Sequence, residues 1–129
     1  MLSTSYSILD ILDLLKNTPF VVGVVSFLTA QTIKVIIKRD FKYFFSYGGM
    51  PSGHTATVTG LTWSIARCLG FSSPVTALSA IFLIIIMMDS VKLRPAVKKS
   101  LGHNWLEALV GFLIGTFIAH IFPAKLTLW

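Results

Sequence analysis

Cysteine is almost absent from this chain. Cys68 stands alone among 129 residues, so no intrachain disulfide forms, redox compartment goes unreported, and the thiol reads as an inert packing residue. Charge is scarce as well: 12% of residues are charged, and only 5 acidic residues stand against 11 basic ones, a formal net charge of +6. Repeats and low-complexity tracts are lacking, which excludes a repeat architecture. Residues 1–7 have no basic n-region, so cleavage of a secretory signal is not expected. Nucleic acid is excluded as a partner, because the basic residues cluster at membrane depth and no soluble basic face with interleaved aromatics can track a backbone. Anionic phospholipid suits the charge better.

What the chain has in abundance is apolar surface. Hydrophobic residues make up 54% of it and the mean hydropathy is +0.79, far too apolar for a soluble domain of this size. The expectation is an all-α membrane protein: one domain over residues 1–129, a four-transmembrane-helix bundle with a short N-terminal amphipathic helix.

Residues 7–16 set Ile8, Leu9, Ile11, Leu12, Leu14 and Leu15 against Asp10, Asp13 and Lys16, the pattern of a short helix lying in the interface. Pro19 opens the first span, which runs to residue 37. The second starts at Pro51 or Gly53 and ends near Leu69; Ala56, Gly60 and Ser64 recur every fourth residue along it, so a neighbouring helix can approach closely and the span sits centrally. A tight connection at Gly70 and Ser72-Ser73-Pro74 leads to a third span over residues 75–88, and Pro95 ends that helix. The fourth runs from His103 or Asn104 to Phe122, with Trp105 and Trp129 at interface depth.

Four spans put the loops after the first and third on one side. Lys38, Arg39, Lys42, Lys92, Arg94, Lys98 and Lys99 lie there, whereas the other side has Lys16, Arg67 and Lys125. By the positive-inside rule the rich side is cytoplasmic and the termini are outside. Four short spans enclose little volume, which keeps a homodimer open beside a monomer.

The polar residues that interrupt these spans gather on that rich side. His54 follows Pro51-Ser52-Gly53 at a helix start, where Ser52, the Gly53 amide and the helix dipole form an anion cradle; the alternative is an ordinary cap with an interfacial histidine. His103 and Glu107 stand four apart and share a helix face. A carboxylate accepting from one ring nitrogen leaves the other unprotonated, as a nucleophilic histidine requires; the alternative is a capped helix with an incidental glutamate. Gly111 and Gly115 continue the face and pack it on the second span, bringing His103 toward His54. Lys34 lies on a stripe with Gln31 and Lys38 and either binds an anion or snorkels to the interface. Arg94 is either a fork for phosphate oxygens or a topological anchor. Asp89 should pair with Lys34, Lys92 or Arg94 and organise the site, and His120 lies at the opposite side without a catalytic role. All four spans contribute to this gathering.

These residues resemble the type 2 phosphatidic acid phosphatase (PAP2) superfamily, which includes vanadium haloperoxidases, and more closely its small divergent branch of bacterial and plastid membrane proteins. Pro51-Ser52-Gly53-His54 matches the second motif in full, and Arg94, His103 and Glu107 match the third in order. Ala30-Gln31-Thr32-Ile33-Lys34, Gly48-Gly49-Met50 and Gly102-His103 with Gly111 are similar to the divergent branch in particular. The resemblance covers roughly residues 30–115. Three departures stand out: no Arg-Pro pair follows Lys34, the stretch from Arg94 to His103 is long, and the acidic partner is Glu rather than Asp. Arg39 or Lys42 are the nearest stand-ins for the missing arginine.

The resemblance implies His103 as the nucleophile that forms a phosphohistidine, Glu107 as its orienting partner and His54 as the acid for the leaving alkoxide. Lys34, Ser52, the Gly53 amide and Arg94 would hold phosphate oxygens, with Asp89 organising them. The activity implied is a lipid phosphate phosphatase without metal or other cofactor, acting on phosphatidylglycerophosphate at the cytoplasmic face of an inner membrane. Alternatives are an undecaprenyl or other isoprenoid (di)phosphate phosphatase, a catalytically inactive lipid-binding scaffold, and a metal site built from His54, His103, Glu107 and Asp89.

Overall fold

The computed structural model describes residues 7–124. Lys125, Trp129 and the first six residues, used above for topology, interface and signal, lie outside the described residues. Six α-helices follow one another with no strand among the described residues: α1 Ile8–Leu12, α2 Thr18–Lys38, α3 Gly53–Leu69, α4 Pro74–Met88, α5 Arg94–Val97 and α6 Trp105–Ile121. The four long ones match the expected apolar stretches, and each begins at a side-chain cap. Asn17 accepts from the Phe20 amide at 3.0 Å, Ser52 from Thr55 at 3.3 Å, Ser73 from Val75 at 3.2 Å and Asn104 from Glu107 at 2.8 Å. Each cap satisfies one of the amides that a helix start leaves without an intrahelical acceptor.

Among the described residues three segments are long and apolar enough to cross a bilayer: Thr18–Lys38, Pro74–Val97 and Lys99–Ile121. The 17-residue α3 is shorter and more polar. Its position in the bundle explains its composition, because α3 packs against α2, α4 and α6 and most of its length is shielded from any surroundings. Small residues make that packing close. A Cβ on Gly115 would strike the Ala56 carbonyl and lie 2.7 Å from the Gly60 amide, a Cβ on Gly111 would strike the Ser52 carbonyl, and one on Gly60 would strike the Ser26 hydroxyl. Thr62 on α3 and Ser79 on α4 pair their hydroxyls at 2.7 Å. Interfaces of this kind hold helices together by backbone approach and polar contact where no water-driven force acts between them. The outward faces are apolar: Leu78, Ile81 and Ile85 on α4 and Leu109, Leu113 and Phe117 on α6 are all more than half exposed, which suits contact with lipid tails.

Two expectations need correction. Pro95 does not end the third helical run, which continues to Val97. Residues Asp89–Leu93 form a π-turn between α4 and α5, and Pro95 falls in the first turn of α5. The wider turn breaks the regular i to i−4 ladder just before the residue that lacks an amide hydrogen, and the helical path survives. Cys68 is exposed at the end of α3 rather than packed inside, with its thiol toward the Ala124 carbonyl. The N-terminal segment is helical but in two short pieces, α1 and a 3-10 turn Asp13–Lys16, and the residues of both are exposed.

Candidate active site

The C-terminal ends of α2 and of the α4–α5 run meet the N-terminal ends of α3 and α6. The Ser52 amide donates to the Glu107 carbonyl at 3.2 Å, and the His103 amide to the Ser90 carbonyl at 2.8 Å. A mixed backbone lattice therefore fixes the two histidine-bearing segments against each other before any side chain is considered.

His103 is buried, with a side chain wholly inaccessible and its Nδ1 3.1 Å from Glu107 Oε2. The same carboxylate oxygen accepts from the Asn104 amide at 3.1 Å, and Asn104 Oδ1 accepts from the Glu107 amide. Glu107 thus closes a capping box and holds the His103 ring at once. With Nδ1–H donated to a carboxylate, the tautomer assigned to neutral His103 carries its lone pair on Nε2. That Nε2 is buried and has no hydrogen-bond partner among the described residues.

His54 is half-buried at the first turn of α3. Its Nδ1 faces Arg94 Nη1 at 3.5 Å, while Arg94 Nε binds Asp89 Oδ2 at 2.6 Å. Asp89 therefore pairs with Arg94, one of its three expected partners, across the π-turn, and aims the guanidinium at the histidine. Because guanidinium nitrogens only donate, this contact makes Nδ1 an acceptor and leaves the proton of neutral His54 on Nε2. The Tyr47 ring stacks near His54 with centroids 6.3 Å apart.

Lys34 does not snorkel. It is 1% exposed, and its ammonium donates to the Ser46 carbonyl at 3.1 Å. It lines a cavity of about 190 Å³ together with Gln31, Ser46, Tyr47, Gly53 and His54. Two further hollows adjoin this end of the bundle. One of about 300 Å³ touches Tyr47, His54, Arg94 and Leu101, and one of about 370 Å³ touches Lys38, Lys99, Glu107 and the Gly48-Gly49 turn. The charges of Lys34, Arg94 and Asp89 all act on His54, as does His103, and those of Lys34 and Arg94 act on His103.

Lys34, Gly53, His54, Asp89, Arg94, His103 and Glu107 are thus brought to one end of the bundle. Ser52 is there as well but differently employed: it is completely buried, and its hydroxyl is taken up by the Thr55 amide and by Thr55 Oγ1 at 3.0 Å. Neither proposed stand-in for the missing arginine reaches the cavities. Lys42 pairs with Asp40 at 3.2 Å in an exposed loop, and Arg39 sits exposed at the left-handed cap of α2 with φ 54°; their neighbour Lys38 lines a hollow together with Lys99. The Lys42 amide and ammonium together hold the Asp40 carboxyl below the usual carboxylate range. Reasoning from sequence missed Gln31 and Tyr47 as cavity residues, although the spacing of Gln31 and Lys34 on one helix stripe signalled the former. His120 stands at the opposite end, where it accepts from Trp63 Nε1 at 3.2 Å. No group of three or more His, Cys, Asp or Glu side chains among the described residues is arranged to hold a metal ion.

Comparison with known proteins adds two findings. The profile of the Divergent PAP2 family matches residues 15–99. The Uncharacterized membrane protein YuiD of Bacillus subtilis (strain 168) is 39% identical over 89 residues, a stretch that covers 64% of this chain and 56% of that protein. The chain therefore spans a little over half the length of the curated relative it matches. No solved structure matches the chain.

Proposed function

The chain belongs to the Divergent PAP2 family, and from that premise we propose that this integral membrane protein is a metal-independent lipid phosphate phosphatase working through a phosphohistidine. The observation that carries the reading is His103: Nδ1 tied to Glu107, Nε2 buried without a partner, and a buried lysine ammonium at the same end of the bundle. A nucleophile so oriented needs no further proton transfer before it attacks.

In the first step His103 Nε2 forms a bond to phosphorus in line with the departing alkoxide. The phosphorus–oxygen bond breaks and the alkoxide takes a proton from His54 in its imidazolium form, which leaves neutral imidazole. Lys34, Arg94 and the first-turn amides of α3 hold the equatorial oxygens, whose charge is greatest in the transition state. Glu107 stabilises the cationic phosphohistidine. Water then attacks phosphorus, giving its proton to His54, and inorganic phosphate leaves as the nitrogen–phosphorus bond breaks. Ser52 supports this by holding the start of α3 rather than by touching phosphate.

Phosphatidylglycerophosphate is the substrate we favour, on the cytoplasmic face of an inner membrane, with α3 as a fourth span clad by the other three and residues 7–16 in the interface of a single domain. An apolar groove of about 400 Å³ between Met87 on α4 and Trp105, Leu109 and Phe112 on α6 reaches the same end and suits an acyl chain. A catalytically inactive scaffold is the second reading, favoured by the burial of His103 and the absence of the first-motif arginine. Phosphate release from detergent-solubilised protein on a lipid panel, with His103→Ala as blank, separates them. The phosphatase reading expects release that survives chelator and vanishes in the variant; full retention in the variant overturns it, and absence of release on every lipid supports the scaffold.

A further inference from the structure

Gln31 is 3% exposed and lines the cavity between α2 and the start of α3 beside Lys34 and His54. Its amide nitrogen donates to two backbone carbonyls, those of Phe44 and Ser46. Because carbonyls only accept, these contacts decide which end of the amide is nitrogen and leave Oε1 on the side of α3. There Oε1 is buried with no hydrogen-bond partner among the described residues. It stands so close to the helix start that a Cβ on residue 53 would lie 2.8 Å from it and 3.3 Å from Gln31 Cδ. Glycine at position 53 leaves room for this approach, whereas a Cβ there would push the Gln31 amide aside.

A buried acceptor of this kind calls for a donor and disfavours another acceptor. Phosphate dianion offers only acceptor oxygens, and Lys34, Arg94 and the α3 amides already suit those. The group that satisfies Oε1 is therefore the part of the ligand beside the phosphate.

We propose that Gln31 determines specificity by accepting a hydrogen bond from a hydroxyl on the leaving alcohol, so that the site selects phosphomonoesters of a polyol head group over those without a free hydroxyl. This rests on the phosphatase reading above and narrows its substrate class. A site built around such an acceptor rejects the deoxy analogue because the buried oxygen is then left unpaired.

The test compares two lipids that differ by one oxygen: phosphatidylglycerophosphate and the same lipid with propane-1,3-diol replacing the head-group glycerol. Each is given to the wild-type protein, to Gln31→Met and to His103→Ala. Wild type should favour the hydroxyl-bearing lipid by about 10- to 100-fold in kcat/KM, and Gln31→Met should bring that ratio close to one. Inhibition by inorganic phosphate should change far less than the ratio. A wild-type ratio near one overturns the proposal without reference to any variant, as does a ratio that Gln31→Met leaves intact, since loss of the loop anchor alone would slow both lipids alike. If Gln31→Met does not fold, the wild-type ratio still decides. Release from neither lipid above the His103→Ala blank overturns the phosphatase reading itself, and selectivity with it.

Discussion

Replacing Lys34 with methionine should make the protein more stable and less active. Lys34 is 1% exposed and makes one hydrogen bond, to the Ser46 carbonyl at 3.1 Å, and among the described residues no carboxylate forms an ion pair with it. Removing an ammonium from water costs several kcal/mol even after the protein relaxes. A charged hydrogen bond offsets about 1.5–3 kcal/mol of that, and the more distant Glu107 charge a further part. Methionine fills similar volume without the penalty, so Lys34→Met should stabilise the fold by about 1–3 kcal/mol, a rise in Tm of roughly 3–10 °C. The same charge, about 4 Å from a phosphoryl oxygen at an effective dielectric near 20, contributes up to about 4 kcal/mol per unit charge to anion binding. Its loss should lower kcat/KM by roughly 30- to 1,000-fold. Thermal unfolding followed by circular dichroism in detergent, run beside phosphate release, reads both quantities. Parallel loss of stability and activity would make Lys34 a structural residue, and retained activity would remove it from the site.

Glu107→Gln keeps an acceptor for the Asn104 amide but loses the negative charge beside His103. Unfolding free energy should shift by less than about 1 kcal/mol while kcat falls by about 10²- to 10⁴-fold, by analogy with the aspartate of a serine-protease triad; matched losses in melting and turnover would assign Glu107 to the cap alone. Gly115→Ala should destabilise the bundle by about 1–3 kcal/mol, because its new Cβ meets the Ala56 carbonyl, and an unchanged melting curve would contradict the observed approach of α6 to α3. The pH profile of kcat/KM should be bell-shaped. Its acid limb falls as His103 Nε2 is protonated and cannot attack, and its alkaline limb falls as His54 loses the proton it donates; His54→Asn should abolish the alkaline limb, and a monotonic wild-type profile would count against the paired roles.

Much of this arrangement could be read from the chain because it rests on local rules. Apolar runs bounded by proline, glycine and serine placed the four long helices within a residue or two of their observed ends, and the four-residue steps from His103 to Glu107 and through Gly111 and Gly115 gave one face that does pack on α3. Asp89 and Arg94 could be paired because a carboxylate at membrane depth demands a cation. What the sequence does not show comes from effects that periodicity does not carry. A π-turn inserts no sequence signature, so Pro95 read as a stop. The depth of Lys34 depends on how the loop at Ser46 folds over it, a tertiary matter. Ser52 carries one hydroxyl, and its engagement by Thr55 inside the bundle is a tertiary matter as well. The four-residue step from His103 to Glu107 does not show that one carboxylate oxygen meets both the His103 ring and the Asn104 amide.

The most direct test of the central claim is to trap the covalent intermediate: incubate the solubilised protein with a lipid carrying a labelled terminal phosphate, quench within the first turnover, and locate the label. The account predicts an acid-labile phosphohistidine at residue 103, absent in His103→Ala and accumulating when the second step is slowed. Turnover with no labelled protein, or label that persists in His103→Ala, would contradict it.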